Sequence, residues 1–330
     1  MRRRSLMIAV PAGLAVLAGC GDEKSDSKTA GDSVSPSPSA AASPNIVDGP
    51  LPAVTAGSKF GEKPTLAKGS GELPKDGIAV RTLITGSGRP VAEGDYIVAD
   101  FLGQIWGTDK VFANSYDGKQ PLVAALAQGQ IWEAWRYGLP GKKLGSRVQI
   151  ATPPTWGYPQ GSQDAGVKGT DSLVFVIDLK EAYSANSSAQ GKKVPQTDKA
   201  LPTVGTNTDG KAPSIEVPKT DPPKDLVANY VIEGDGEPLK ADSTVLVHYK
   251  GVLWDTGKEF DSSYSRNSLT SFSLQQVVKG WGQGLTGKKV GSRVLIVVPP
   301  SLGYGDNPPQ GSDIKKDSTM VFTVDILAAI

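Results

Sequence analysis

Apolar and polar residues alternate from Tyr96 to Ile105 (YIVADFLGQI), and again from Thr244 to Leu253 (TVLVHYKGVL). A period of two over that length predicts a half-buried strand in each place. Ala79–Gly88 (AVRTLITGSG) and Val227–Gly236 (VANYVIEGDG) read the same way, each strand running into a glycine turn. Leu173–Leu179 (LVFVIDL) and Met320–Ile326 (MVFTVDI) are closing strands. Helical readings are confined to Ala127–Trp135 and Gln275–Trp281. The pattern predicts an α+β fold, written twice: a small antiparallel sheet wrapped around one short helix.

The elements pair because the chain is duplicated. Leu139–Tyr158 reads LPGKKLGSRVQIATPPTWGY, and Leu285–Tyr304, 285 − 139 = 146 positions later, reads LTGKKVGSRVLIVVPPSLGY. Outside the copies the apolar period disappears. Residues 20–52 are rich in Ser, Pro and Ala and read as a flexible tether. Residues 184–212 share that character and read as an interdomain linker. The expected domains are 53–183 and 213–330.

Composition refines this picture at one end. The 330 residues carry 35 basic and 34 acidic side chains, for a formal net charge of +1, with no long basic run. Electrostatics therefore gives no reason to expect a nucleic-acid partner. Cys20 is the one cysteine, so no internal disulfide forms. It follows Arg2–Arg4, an apolar run from Leu6 to Val16, and Leu17-Ala18-Gly19. That run is too short to span a bilayer, which takes about 20 residues, and residues 1–19 read as a signal peptide. The stretch ending at Cys20 resembles the bacterial lipobox. The resemblance implies a lipid anchor on Cys20 and an extracytoplasmic chain attached to the cell membrane, with two acyl chains to hold it.

The second copy carries an ordered set of motifs: Val247-His248-Tyr249-Lys250-Gly251, Phe260-Asp261-Ser262-Ser263, Val277-Val278-Lys279-Gly280-Trp281, Pro299-Pro300-Ser301-Leu302-Gly303-Tyr304-Gly305 and Met320-Val321-Phe322. In order and spacing this resembles the FKBP-type peptidyl-prolyl cis/trans isomerase family, the macrolide-binding isomerases, from about Leu226 to the C-terminus. The first copy, about Gly77 to Tyr183, shares the framework. The resemblance implies two tandem FKBP-like domains, each a half-barrel sheet gripping its helix. It also implies an apolar pocket lined by Tyr249, Phe260, Asp261, Val277, Val278, Trp281, Tyr304 and Phe322. Trp281 would be the floor under the proline ring, with Tyr249, Phe260 and Phe322 as walls. The Val278 N–H and the Tyr304 hydroxyl would hold substrate carbonyls. Partners would be Pro-containing polypeptides, and no cofactor or metal is implied. The polar flap Gly305–Ile314 and Gln276, where an acidic residue is common, depart from the pattern that goes with tight macrolide binding.

The copies differ where the family pattern holds its carboxylate between a phenol and a guanidinium. Against Tyr249, Asp261 and Arg266, the first copy has Phe101, Ala113 and Gly118. The three polar groups are lost together, as they should be if none is to be stranded. Trp135, Phe112, Tyr158 and Phe175 remain, and Trp132 replaces Val278. The expectation is an active second domain and a degenerate first one.

Two other signals read as structural. His248, the chain's one histidine, lies next to Tyr249 on an alternating strand and faces the other way. Gly282–Lys288 matches much of a phosphate-binding loop, but Lys289 stands where Ser or Thr is required, and the segment reads as a turn. Two rival functions stay open: a non-catalytic chaperone or peptide-binding lipoprotein, and the solute-binding lipoprotein of a transporter.

Overall fold

The computed structural model describes residues 43–118 and 120–329; Cys20 and residues 1–19 lie outside them. The chain divides into two compact units. One comprises the residues up to Glu93 with Ile97–Glu181, the other Gly94–Tyr96 with Ala182 onward. The first unit carries β1 (Asn45–Val47), β2 (Val54–Ala56), β3 (Thr65–Leu66), β4 (Gly77–Ile84), β5 (Tyr96–Ile105), β6 (Val111–Asn114), β7 (Leu122–Ala125), α1 (Glu133–Gly138), β8 (Arg147–Thr152) and β9 (Leu173–Tyr183). The second carries β10 (Lys192–Lys193), β11 (Thr203–Val204), β12 (Ile215–Glu216), β13 (Val227–Glu233), β14 (Thr244–Leu253), β15 (Glu259–Ser262), β16 (Thr270–Ser273), α2 (Lys279–Leu285), β17 (Arg293–Val298) and β18 (Met320–Ala329).

The sheet orders are β1-β4-β8-β9-β5-β6, with β7 on β5, and β10-β13-β17-β18-β14-β15, with β16 on β14. The duplication thus holds strand for strand. Pairing is antiparallel throughout the second sheet and, in the first, between β4 and β8, β8 and β9, and β5 and β6, whereas β1 runs parallel to β4. In each unit the chain's closing strand, β9 or β18, lies inside the sheet between two long neighbours.

Both helices begin later than the periodicity indicated. Trp132 and Val278 hold extended torsions (φ −56°, ψ 132° and φ −55°, ψ 144°) and act as N-caps, so the residues before them form turns. Consequently Gly282–Leu285, read from sequence as part of a turn, lies in α2. Glycine is required in so short a helix because the helix sits hard on the sheet. A Cβ on Gly280 would lie 2.5 Å from Val298 Cγ1. Trp281, Leu285, Val294, Ile296, Val298, Phe322 and Val324 make the core beneath it. Among the described residues, no helix is long and apolar enough to cross a membrane.

The opposite sheet face is covered too, in part by segments expected to be loose. In the second unit Ala189, Val204, Ile215 and Val217 pack on Val231, Trp254, Leu295, Val297 and Val321. In the first, Leu51, Val54, Leu66 and Leu73 pack on Ala79, Leu102, Ala151, Val174 and Val176. Residues 184–212 are therefore folded against a sheet rather than forming a free linker. The end of the tether stretch is folded as well, since β1 pairs with β4 and Pro52 O accepts from Gln149 Nε2 at 2.8 Å.

Each of these straps is gripped by the same buried groups. Arg147 and Asp178, paired in register on β8 and β9, form a fully buried bidentate ion pair at 2.7 Å. The remaining guanidinium N–H groups donate to Gly57 O and Glu62 O. Arg293 and Asp325 repeat the pair at 2.6–2.7 Å, with Gly205 O and Asn207 O each at 2.8 Å from Arg293 Nη1. Trp106 and Trp254 each donate an indole N–H to a strap carbonyl, of Gly71 and Thr220.

Candidate functional site

In the second unit, β14 turns Tyr249 toward the helix, and its ring meets Trp281 edge-on at 5.4 Å. Trp281 in turn lies 5.3 Å from Phe322 on β18, and Phe322 lies 5.5 Å from Phe260 on β15. Gly251 makes room for that last pair, because a Cβ there would come within 2.7 Å of the Phe260 ring. Val277 and Val278 border the same core. The Val278 N–H, at the helix cap, has no protein acceptor among the described residues. Tyr304 follows the 3-10 turn Pro300–Leu302 and is 38% exposed, outside the cluster that holds the other aromatics.

Phe272 on β16 belongs to this group and was not singled out from sequence. Its ring packs 5.7 Å from Tyr249 and 5.4 Å from Trp281. Only the strand alternation in TSFS marks it, and a four-residue strand carries little of that signal. The flap departs from bare polarity in a similar way. Ile314 inserts into the core, and Lys258 holds the flap's Asp313 at 2.6 Å.

One edge of the aromatic cluster is polar. The Tyr249 hydroxyl donates to Asp261 Oδ2, and Arg266 pairs with Asp261 Oδ1 while its Nη2 donates to the Tyr249 hydroxyl at 2.8 Å. Each of the three is thus tied to both others. Burial pushes the Tyr249 phenol up to about 12, reinforced by its bond to Asp261. The Asp261 bond, followed by the Tyr249 bond, raises the Arg266 guanidinium. Asn267 closes the turn that carries Arg266, at φ 49°, a left-handed conformation Asn tolerates.

His248 points away from this cluster and is fully buried on the other face. Its Nδ1 lies 2.6 Å from Ser263 Oγ, its Nε2 lies 2.8 Å from Ala185 O, and its ring stacks on Tyr264 at 4.0 Å. Burial lowers its pKa, opposed by the Ala185 bond and the Asp325 charge. Its hydrogen-bonded link to the aromatic cluster is through Ser263 Oγ, which accepts from the Tyr249 backbone N–H at 2.8 Å.

The first unit has the same frame with its centre filled. Trp132 lies within 5.0–5.9 Å of Phe101, Trp135, Tyr158 and Phe175. It is only 9% exposed and stands among those rings at the helix-cap position that Val278 holds in the second unit. Burial raises the Tyr158 phenol, opposed by the neighbouring Trp132 indole. Ala113 pairs with Gly103 as Asp261 pairs with Gly251, so the register itself places an alanine where the carboxylate stands.

Comparison with known proteins agrees with this geometry. A family model described as FKBP-type peptidyl-prolyl cis-trans isomerase matches residues 87–180 and 235–327. An FK506-binding protein of Streptomyces anulatus is 42% identical over 118 residues, spanning 35% of this chain and 95% of the relative. A probable FK506-binding protein of Corynebacterium glutamicum is 40% identical over 118 residues, spanning 36% and 98%. The FKBP-type peptidyl-prolyl cis-trans isomerase FkpA of Escherichia coli is 46% identical over 102 residues, spanning 31% of this chain and 37% of that protein.

Proposed function

This chain belongs to the FKBP-type peptidyl-prolyl cis-trans isomerases, and from that premise we propose that its second unit carries the turnover, on Pro-containing extracytoplasmic polypeptides. The observation that carries this is the Tyr249–Asp261–Arg266 cluster at the edge of the aromatic group, against a first unit that lacks the cluster and sets Trp132 among its rings.

Rotation about a peptide bond faces a barrier of about 18–20 kcal/mol, because resonance gives the bond partial double-bond character. At the twisted transition state that resonance is lost, and the amide is less polar than in its planar form. A pocket of Tyr249, Phe260, Trp281 and Phe322 penalises the planar amide more than the twisted one, and this differential binding is the catalysis. Trp281 is the floor for the proline ring, and Val277 and Val278 line the helix side. The free Val278 N–H and the exposed Tyr304 hydroxyl take the substrate's carbonyls. The Asp261 carboxylate, fixed by Tyr249 and Arg266, offers charge to the rotating amide without having to reorganise. No proton moves.

In the full chain, Asp261→Ala should lower kcat/KM about tenfold or more, about 1.4 kcal/mol of barrier per factor of ten, with the melting profile retained. A proline-isomerisation assay coupled to proteolysis measures it, and undiminished turnover would assign the activity elsewhere. Macrolide affinity should be modest, because Gln276 and the charged flap change the rim that such a ligand would meet. For the first unit a second reading is favoured by Trp132: binding of peptide without turnover.

The chain would act outside the cytoplasm, held by lipid on Cys20. The lipobox-like Leu17-Ala18-Gly19-Cys20 and the apolar run before it support that reading.

A further inference from the structure

β4 and β13 hold the same place in the two sheets, and a strap strand pairs with each, but at opposite ends. In the second unit β10 lies antiparallel to the end of β13, with Lys192 opposite Glu233 and Lys193 opposite Ile232. The Val194 N–H then donates to Val231 O at 2.9 Å. In the first unit β1 runs parallel to the start of β4, over Gly77–Ala79 alone. Ile84 pairs with Arg147 as Ile232 pairs with Arg293, so Leu83, Ile84 and Thr85 stand where Val231, Ile232 and Glu233 do. Among the described residues, no strand pairs with their outer side. Burial records the difference: Val231 is 0% exposed and Leu83 is 36% exposed. Beside Leu83 lies a cavity of about 410 Å³, lined also by Leu51, Val54, Arg81 and Gln149.

We infer that the open edge at Leu83–Thr85 is a strand-addition site, which takes an extended segment of another polypeptide carrying an apolar residue and a carboxylate. The second unit supplies the geometry, because there the same slot is already filled by a piece of the chain. An unpaired edge presents a row of N–H and C=O groups that a further extended chain can meet. Such pairing draws affinity from main-chain hydrogen bonds and specificity from pockets for alternate side chains. The cavity beside Leu83 is such a pocket. Charge narrows the choice further. In the second unit Glu233 neutralises Lys289 at 2.7 Å, and Lys192 of β10 acts on the same carboxylate. In the first unit Thr85 replaces Glu233, and Lys143, the counterpart of Lys289, has no side-chain partner among the described residues. A carboxylate arriving opposite Thr85 meets that lysine, whereas a lysine-bearing strand like β10 is repelled. The site lies on the strap side of the sheet, away from the rings around Trp132, and requires no proline.

The test is calorimetric titration of the full chain with acetyl-Glu-Thr-Val-Thr-Val-amide, whose Glu falls opposite Thr85 and whose first Val falls at the place of Val194. One equivalent should bind. Methylating the nitrogen of that Val, the counterpart of the N–H that meets Val231 O, should weaken binding about tenfold. Acetyl-Lys-Thr-Val-Thr-Val-amide should bind about fivefold more weakly than the Glu peptide. Thr85→Glu, at an exposed position, gives the first unit the second's residue and should reverse that preference with melting unchanged. Proline turnover should be the same with and without saturating peptide. Absence of binding would overturn the inference, as would indifference to the N-methyl group or an unreversed preference in folded Thr85→Glu. Inhibited turnover would also overturn it, by placing the peptide in the catalytic pocket. A dimer of the chain that the peptide splits would give the edge to a second copy and overturn the occupant. The binding readouts do not depend on which unit carries turnover, so they fail separately from that assignment.

Discussion

Trp132 and Val278 hold the same helix-cap position with nearly the same torsions, yet one sets an indole among four aromatic rings and the other a small aliphatic group. Replacing Trp132 with Val should lower the melting temperature of the first unit, since truncating a buried aromatic costs about 3 kcal/mol or more. Turnover should not rise, because Phe101, Ala113 and Gly118 still supply no carboxylate; a second-unit level of activity in that variant would show that the polar cluster is dispensable. His248 separates activity from stability. With no titrating group in the mechanism, turnover should be flat between about pH 6 and 8. Stability should not be flat. Burial holds His248 below its ordinary value, so the unfolded chain binds the proton more readily. The histidine's contribution is complete above about pH 6.5 and declines as pH falls below it. Chemical denaturation from pH 7.5 to 5 should show that slope, and His248→Gln should flatten it. These roles were unequally legible. The separation of His248 from Tyr249 follows from strand alternation alone. Where the Trp132 indole lies among its neighbours depends on a rotamer, and no linear pattern records that choice.

At the scale of elements, the long strands were the most readable parts. Tyr96–Ile105 and Thr244–Leu253 are observed with the limits their periodicity indicates. The straps were not, because what orders them is remote. Few of their own side chains are apolar, and their carbonyls are held by Arg147 and Arg293, some 85–90 positions further along the chain. A clue was nevertheless present. LVFVIDL and MVFTVDI are almost continuously apolar, and a strand of that kind is buried on both faces, so something had to cover the second one. A fragment of residues 213–330 should therefore melt well below one of residues 182–330. The shorter piece loses Gly205 O and Asn207 O from Arg293 and Ala185 O from His248. Arg293→Met should cost about 3–5 kcal/mol, the usual penalty for leaving a buried charge such as Asp325 alone. Equal melting of the two fragments would show that the strap is a passive cover.

For the molecule as a whole, lipid attachment is the expectation with the plainest readout. Cys20→Ser should move the protein out of the membrane fraction or leave it as uncleaved precursor; cleaved protein still retained by membranes would locate the anchor elsewhere. The position of β18 has a different kind of consequence, one concerning time. It is the latest strand of its sheet in chain order, and it lies between β17 and β14 with Asp325 on it. A polypeptide delivered N-terminus first thus waits for residues 320–329 before the second sheet can be joined through its middle, and Arg293 waits with it for a counter-charge. Pairings so far apart in sequence make for slow folding. The enzyme that relieves others of slow proline steps has, by its own strand order, a second sheet that closes only after every other strand in it has been made.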